Sequence, residues 1–200
     1  MQEIIIATNN PGKVQEFQTI LEPKGIAVKS LADFPEIPEV EETGTTFEEN
    51  ALLKASAVAE YLGKTVLADD SGLEVDALNG EPGVYSARYA GTNKNDRENY
   101  LKVLGKLENV PDEKRTARFV CVLAIVQPSG NNHTVRGTCE GKITHQPIGE
   151  NGFGYDPVFF VEEKGKTMAQ LSKEEKSEIS HRGNAIKQLT NKWDDLFLTK

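Results

Sequence analysis

Cysteine is scarce in this 200-residue chain, which holds only Cys121 and Cys139, with no Cys-x-x-Cys pair and no Cys/His spacing that suits zinc. We therefore expect no zinc site, and we expect Cys121, which lies in an apolar run, to be a buried thiol. Long apolar runs are also missing: the longest covers residues 119–126, far short of the roughly 20 residues that span a membrane. The first residues carry no basic segment followed by a long apolar stretch, so we expect no secretory signal.

Basic residues are in deficit, with 23 Lys and Arg against 31 Asp and Glu, which gives a net charge of −8. Such a chain is a poor match for long nucleic acids and for anionic membrane surfaces, because both require positive charge on the protein. Its apolar fraction of 38% is that of a folded globular protein. We expect a cytoplasmic enzyme with a single domain over residues 1–200 and no separable linker, without nucleic-acid or membrane partners.

Strand and helix patterns alternate in the first third of the chain and then give way to hairpins. Apolar runs predict strands at residues 4–6, 26–31, 65–68, 73–78, 119–126, 133–139 and 157–161. Helical patterns begin after residues 11 and 46, cover residues 101–107, and end the chain with Ile186, Leu189, Trp193 and Leu196 on one face. Capping-box patterns precede two helices, at Thr46–Glu49 and Ser172–Glu175. This order predicts an α/β fold with a mixed sheet.

The first candidate for chemistry is the turn after the first predicted strand, Thr8-Asn9-Asn10-Pro11-Gly12-Lys13. A strand that ends in a small polar turn and opens a helix directs free backbone N–H groups and the helix dipole at one spot. With a hydroxyl, two amides and an ammonium added, that spot suits an oxyanion such as phosphate. The spacing G-x-x-x-x-G-K-[ST] of a P-loop is missing. An ordinary strand-to-helix turn with a solvated lysine is the alternative, and the spacing does not choose between them.

Two adjacent carboxylates, Asp69 and Asp70, follow the strand predicted at residues 65–68 and precede Ser71 and Gly72. We expect the strand to end there, at the place where open α/β sheets bind ligands. Oxygen ligands of this kind suit Mg²⁺, and a metal that acidifies a bound water would relieve the weakness of a free Asp as a base. The alternative is a pair of turn-forming or capping residues. Residues 36–49 hold six glutamates, of which one or two could join the aspartates, but the pattern does not select them.

Two later segments could bind the rest of a ligand. The sequence Phe153-Gly154-Tyr155-Asp156-Pro157 lies in a glycine-rich turn, which can present an aromatic ring for stacking on a base or can pack a buried phenylalanine. The pair His181-Arg182 precedes the last helix. Such a pair is usually part of the surface, and it gains interest only if it faces the same ligand as the other segments.

Together these segments resemble the inosine/xanthosine triphosphate pyrophosphatase family from the first strand to the last helix. The resemblance extends over six stretches in the right order, at residues 7–13, 46–51, 68–73, 82–89, 153–157 and 176–183. It implies an elongated two-lobed α/β fold around a long mixed twisted sheet with flanking helices, an active-site cleft between the lobes, and a homodimer. It also implies Mg²⁺-dependent hydrolysis of the purine nucleoside triphosphates ITP, dITP and XTP to the monophosphate and pyrophosphate.

The resemblance also assigns roles to individual residues. Asp70 would act as proton acceptor and metal ligand, and Glu41 would be the second metal carboxylate, with Glu42 or Glu39 as alternatives. The residues that would contact the triphosphate are Thr8, Asn9, Asn10, Pro11, Gly12, Lys13 and Ser71. Those that would form the nucleotide pocket are Phe153, Gly154, Tyr155, Asp156, Lys176, His181 and Arg182.

Two other functions remain open at this point. The chain could be a related nucleotide pyrophosphatase that acts on modified pyrimidines or on ordinary nucleotides, or it could be a non-catalytic nucleotide-binding module. The Asp69-Asp70 pair argues against a pure binder, because such a protein has little use for extra negative charge near a triphosphate.

Overall fold

The computed structural model describes residues 2–38 and 40–192. Within them, seven strands form one sheet in the order β2-β1-β3-β4-β5-β6-β7. Their bounds are β1 (Gln2–Ile6), β2 (Ile26–Ser30), β3 (Val66–Val75), β4 (Thr116–Val126), β5 (Asn132–Ile143), β6 (Phe159–Val161) and β7 (Lys166–Thr167). The α-helices are α1 (Pro11–Leu21), α2 (Phe47–Leu62), α3 (Asp96–Lys106), α4 (Lys173–Ile179) and α5 (His181–Asn191). Glu39, a candidate metal ligand, and Trp193 and Leu196 of the predicted last helix lie outside the described residues.

The sheet is mixed. Strand β1 pairs in parallel with β2 and with β3, whereas β6 pairs antiparallel with both β5 and β7. The predicted α/β fold with a mixed sheet and flanking helices is therefore confirmed. No helix in the described part of the chain has the length and apolar character needed to cross a membrane.

The chain divides into two compact units, which we describe one at a time. The first unit contains the described residues of Met1–Asp70, Val122–Arg136 and Ala185–Lys200. Here the chain passes from β1 through α1 to β2 on one side, and then through α2 to β3 on the other side of β1. Right-handed crossovers in opposite directions place α1 and α2 on opposite faces of the sheet. The carboxyl end of β1, which lies beside Leu67 of β3, is where the strand order reverses, and this is the position at which such sheets bind ligands.

The second unit contains Ser71–Cys121 and Gly137–Asn184. Its core combines Leu73 of β3, Val103 of α3, Phe119 of β4 and Phe159 of β6, all buried. The fully buried guanidinium of Arg115 donates hydrogen bonds to the carbonyl oxygens of four residues, namely Leu107, Val110, Ile143 and Thr144. These bonds connect the segment after α3 to the end of β5.

One predicted boundary is wrong. The sequence suggested that a strand ends at Asp69 and that another begins at residue 73, but β3 continues without interruption from Val66 to Val75. Asp69 and Asp70 are only 2% and 8% exposed, so neither forms a turn at the surface. Charged groups can remain inside a strand when they have partners, and the partners here are lysine ammonium groups from the flanking helices.

Several smaller predictions are confirmed. Both capping boxes form, with Thr46 and Ser172 as the N-caps of α2 and α4. Cys121 and Cys139 are buried and form no disulfide.

Candidate active site

The turn between β1 and α1 is closed by the side chain of Asn10. Its Oδ1 accepts hydrogen bonds from the backbone N–H groups of Gly12 at 2.9 Å and Lys13 at 3.3 Å. The Oγ1 of Thr8 accepts a third bond, from the N–H of Asn10, at 3.2 Å. The structure thus differs from the expectation of free N–H groups, because an amide oxygen already takes the position that an anion would occupy at the start of this helix. Asn9, Asn10, Pro11 and Gly12 are exposed, so a ligand can reach the turn.

Lys13 and Asp69 form a close ion pair in the first unit. The Lys13 Nζ lies 2.7 Å from Asp69 Oδ2, and the Asp69 side chain is almost fully buried. The lysine is therefore not a solvated side chain, as the simpler alternative suggested. Asp69 instead holds the Lys13 ammonium against β3, the strand next to β1.

Asp70 faces away from Asp69, since successive side chains of a strand point to opposite faces. Its partner is Lys54 of α2, whose Nζ lies 3.6 Å from Asp70 Oδ1. Burial is the main cause that raises the pKa of Asp70 above its ordinary value, and the negative charge of Glu42 adds to this effect. Lys54 and the Asn50 amide oppose it by favouring the carboxylate. The result is a buried carboxyl group that is a stronger base than an aspartate in water.

Lys54 connects three acidic residues. Its Nζ lies 2.6 Å from Glu42 Oε1 and donates a hydrogen bond of 2.7 Å to the backbone carbonyl of Asp69, in addition to its contact with Asp70. Burial alone would lower the pKa of Lys54, but the charges of Asp70, Asp69 and Glu42 outweigh it, and the pKa is raised. The ammonium therefore stays charged. We call Lys13, Glu42, Lys54, Asp69 and Asp70 the Asp70 cluster.

The loop that carries Glu41 and Glu42 is attached to the start of α2. The N–H of Gly44 donates to Asn50 Oδ1 at 2.8 Å. A Cβ at residue 44 would lie 2.6 Å from that oxygen, so this close approach requires glycine. Within the loop, Glu41 is exposed, whereas Glu42 is half-buried and contacts Lys54. The structure thus brings Glu42, rather than Glu41, into the cluster.

The donor set of the cluster fits Mg²⁺. Among the described residues, no group of three or more His, Cys, Asp or Glu side chains could hold a metal ion. Mg²⁺ commonly uses one or two carboxylates and completes its octahedral shell with water and substrate phosphates. The carboxylates of Asp70 and Glu42 already share one cation, the ammonium of Lys54, and they offer only oxygen donors.

In the second unit, the predicted pocket residues of the glycine-rich turn lie together. Residues 152–156 form a loop, which we call the Phe153 loop, and the phenyl ring of Phe153 at its tip is 59% exposed. Asp156 is buried, and its Oδ2 accepts the N–H of Phe153 at 2.9 Å and pairs with the ammonium of Lys176. The same Lys176 Nζ lies 4.7 Å from the centre of the Phe153 ring. Phe153 is therefore not a buried packing residue, as the simpler alternative suggested.

The pair at the start of α5 is also held in place. Arg182 is 4% exposed, and its guanidinium donates to Ser71 Oγ at 3.4 Å. The His181 ring stacks on Phe119, with ring centroids 5.0 Å apart and planes inclined by 21°. These contacts give both side chains fixed positions, which a surface pair would not have.

Sequence reasoning missed Lys54 and Asn50, although a signal for the lysine existed. Lys54 follows Ala51 by three residues and precedes Val58 by four, so it lies on the buried side of α2. A charged residue at such a position requires a partner. The same signal existed for Asn50, which follows the buried Phe47 by three residues and precedes Lys54 by four.

A cavity of about 660 Å³ in the second unit lies apart from these residues. It is lined by Arg118, Lys142 and several acidic side chains. Arg118 pairs with Asp76 and Glu140, and Lys142 pairs with Glu162. None of the site residues predicted from the sequence lines it.

Comparison with known proteins assigns the chain to a family, because the model of the Ham1 family matches residues 4–192. The chain belongs to the Ham1 family. Its relatives include two proteins named dITP/XTP pyrophosphatase. The one from Geobacillus kaustophilus is 55% identical and matches 98% of this chain and 96% of its own length. The one from Bacillus subtilis is 57% identical and matches 95% of this chain and 96% of its own length. The Staphylococcus aureus Ham1 protein has a similar structure, with a TM-score of 0.91 and 52% identity over 98% of this Ham1-family chain and 100% of that one.

Proposed function

We propose that this Ham1-family chain hydrolyses ITP, dITP and XTP to the nucleoside monophosphate and pyrophosphate. The observation that carries the proposal is the Asp70 cluster, in which the buried carboxyl group of Asp70 has a raised pKa and contacts the ammonium of Lys54, while the neighbouring Asp69 pairs with Lys13. The relatives named dITP/XTP pyrophosphatase, which match nearly the whole chain, support the same activity. A pure binding module would have no need for such a base.

The reaction breaks the bond between the α- and β-phosphates. It needs a water molecule in line with the leaving pyrophosphate and positive charge to stabilise the developing negative charge. Asp70 orients this water and accepts its proton, and the pKa raised by burial makes it a better general base at neutral pH. Lys13 supplies positive charge beside the turn of residues 8–13, and Lys54 holds Asp70 and Glu42 in place.

Mg²⁺ is part of the proposal. Asp70 would hold it together with a carboxylate of the loop before α2, for which the sequence favours Glu41 and the contact with Lys54 favours Glu42. When bound, the ion supplies charge that stabilises the phosphate oxygens of the transition state.

Selection of the base follows from hydrogen-bond chemistry. Hypoxanthine and xanthine carry an acceptor at the 6-position, whereas adenine carries a donor, so a pocket with N–H donors there disfavours adenine strongly. In the Phe153 loop, the N–H groups of Phe153, Gly154 and Asp156 already donate to Asp156, Asp96 and Phe153. These amides are thus committed to loop structure, which favours the side chains of His181 and Arg182 as donors to the base.

Two further parts of the proposal rest on the family resemblance. They are the homodimer and the cytoplasmic location, and light scattering on the purified protein would measure the first.

The experiment that tests the activity is a nucleotide panel with detection of pyrophosphate, with and without Mg²⁺. We expect kcat/KM for ITP, dITP and XTP to exceed that for ATP by about 100-fold or more, because adenine lacks the 6-keto acceptor, with release of pyrophosphate rather than phosphate. Equal rates on ATP, GTP and ITP would contradict the proposal. A preference for a modified pyrimidine triphosphate would indicate the related pyrophosphatase instead.

A further inference from the structure

We infer that Asp96, at the start of α3, is a positioning residue that fixes the orientation of the Phe153 ring for the base of the substrate. This inference rests on the proposed function, which assigns the Phe153 loop to the nucleotide pocket. Asp96 matched no stretch of the family resemblance, and its role follows from one contact: its Oδ2 accepts the N–H of Gly154 at 2.7 Å.

The Phe153 loop needs an external support. Its tip carries an exposed phenyl ring, and glycines with positive φ flank that ring, Gly152 at +80° and Gly154 at +61°. Glycine at such positions allows the turn but leaves the unliganded chain more conformational freedom than other residues do. A ring that stacks on a base binds better when it is already held in the bound orientation.

Most of the anchors of the loop lie within it or in the core. Asp156 accepts the N–H of Phe153 from inside the loop, and a Cβ at Gly152 would lie 2.0 Å from the same carboxylate. The buried Tyr155 hydroxyl donates to the carbonyl of Ser86 at 2.7 Å. These groups cannot be removed without disturbing packing.

The contact with Asp96 differs in position and in exposure. The N–H of Gly154 belongs to the planar peptide unit that follows Phe153, and the carbonyl of this unit accepts the N–H of Asp156. Holding the unit at both ends fixes the ψ angle of Phe153 and with it the direction of the Cα–Cβ bond that carries the ring. Asp96 lies on α3, outside the loop, and is exposed. It is therefore an anchor that can be removed while the core stays intact.

Helix α3 is itself well fixed for this purpose. Asn95 caps it by accepting the N–H of Glu98 at 3.1 Å. Asn99, one turn after Asp96, accepts the N–H of Ala90 at 2.7 Å and donates to the carbonyl of Ala87 at 3.2 Å. The first turn of α3 is thus a rigid base from which the carboxylate reaches the loop.

The test compares Asp96→Ala with Asp96→Asn and with Glu98→Ala in the full chain. Glu98 is an exposed acid in the same first turn whose carboxylate accepts a hydrogen bond from the Asn95 amide, so its variant removes the same charge from the helix start. The ligands are inosine monophosphate, which carries the base, and inorganic tripolyphosphate, which does not, each measured as a competitive inhibitor.

For Asp96→Ala we expect the inhibition constant of inosine monophosphate and the KM for ITP to rise about 10-fold. The inhibition constant of tripolyphosphate and kcat should stay within about 3-fold of wild type. Asp96→Asn keeps an oxygen acceptor and should recover most of the loss, and Glu98→Ala should match wild type. An equal weakening of both ligands, or no weakening of either, would overturn the inference.

Hydrogen exchange at the Gly154 amide gives a readout that does not depend on activity. We expect faster exchange in Asp96→Ala than in wild type or Glu98→Ala, and unchanged exchange would refute the anchoring. If wild type released no pyrophosphate from any purine triphosphate, the proposed function would fail, while hydrogen exchange at Gly154 would still decide whether Asp96 anchors the loop.

Discussion

At the scale of single residues, the chemistry depends on how Asp70 is charged. Burial raises the pKa of this carboxyl group, and the ammonium of Lys54 opposes the rise because it favours the charged carboxylate. Helix α2 contributes the second of these effects, because it carries Lys54 on its buried side.

Replacement of Asp70 by asparagine tests this role directly. Asparagine has nearly the same shape but cannot accept the proton of the attacking water, so we expect pyrophosphate release from ITP to fall at least about 100-fold. Far-UV circular dichroism should show that the fold survives. Asp112→Asn is the matched control, because Asp112 is an exposed aspartate that pairs with His145, remote in sequence from the cluster. Turnover close to wild type in Asp70→Asn would remove Asp70 from the mechanism.

Sequence reasoning at this scale succeeded where the chemistry lies in adjacent residues. Asp70 and the turn of residues 8–13 could be singled out because carboxylates and small polar residues follow apolar runs there. The contact between Glu42 and Lys54 could not, since it joins a loop to a helix position 12 residues further on. The choice between neighbouring glutamates depends on which one turns inward, and that is set by the bond between Gly44 and Asn50.

At the scale of elements, the start of α2 determines where Lys54 and Asn50 lie. Thr46 accepts the N–H of Glu49 at 3.1 Å, and the Glu49 carboxylate accepts the N–H groups of Thr45 and Thr46 in return. The hydrogen bonds from Thr45, the backbone N–H first, lower the pKa of Glu49 below its ordinary value. This cap was predicted from the sequence because its pattern is local.

The cap should make the free energy of unfolding depend measurably on pH in the acid range. Since the pKa of Glu49 is lower in the folded chain than in the unfolded one, its contribution to stability is present above the ordinary pKa of about 4.5. This contribution to stability is lost as the pH falls through the lowered pKa of Glu49. We expect Glu49→Gln to be less stable than wild type at pH 7 and to lose less stability between pH 5 and pH 3, measured by urea denaturation. Glu60→Gln, an exposed change near the other end of α2, should follow the wild-type curve, and parallel curves for Glu49→Gln and wild type would refute the role of the cap.

Strand β3 shows why an element boundary can be misjudged. The polar run at residues 69–72 has the composition of a turn, and only the partners of its side chains keep it extended. Lys13 precedes Asp69 by more than 50 residues, and Arg182 follows Ser71 by more than 100. Local propensity cannot register partners at such distances along the chain.

At the scale of the whole molecule, the acidity of the chain has several separate uses. Residues 36–49 and 69–76 contain ten acidic residues and no lysine or arginine, and the rest of the chain is close to neutral. Glu42, Asp69 and Asp70 serve the Asp70 cluster, whereas Glu49 caps α2 and Asp76 pairs with Arg118. The net charge therefore argues against long nucleic acids as ligands without arguing against a triphosphate bound with Mg²⁺.

The course of the chain also predicts how the molecule unfolds. Each compact unit is assembled from separate segments, and β3, β4 and β5 each contain residues of both units. Neither unit is a continuous piece of chain that could fold without the other. We therefore expect one cooperative unfolding transition, and Arg115 of the second unit offers a way to test it.

Arg115→Leu removes a donor from four carbonyl oxygens at once, two of which belong to the buried residues Leu107 and Ile143. Because a buried acceptor without a partner costs free energy, we expect the free energy of unfolding to fall by about 3 kcal/mol. For a chain of this length the midpoint of thermal unfolding should fall by on the order of 10 °C. Calorimetry should show a single transition that moves as a whole. Arg136→Leu breaks an exposed pair with Glu48 and should shift it by less than about 3 °C. Two transitions, of which only one responds to Arg115→Leu, would show that the units unfold independently despite their interleaved segments.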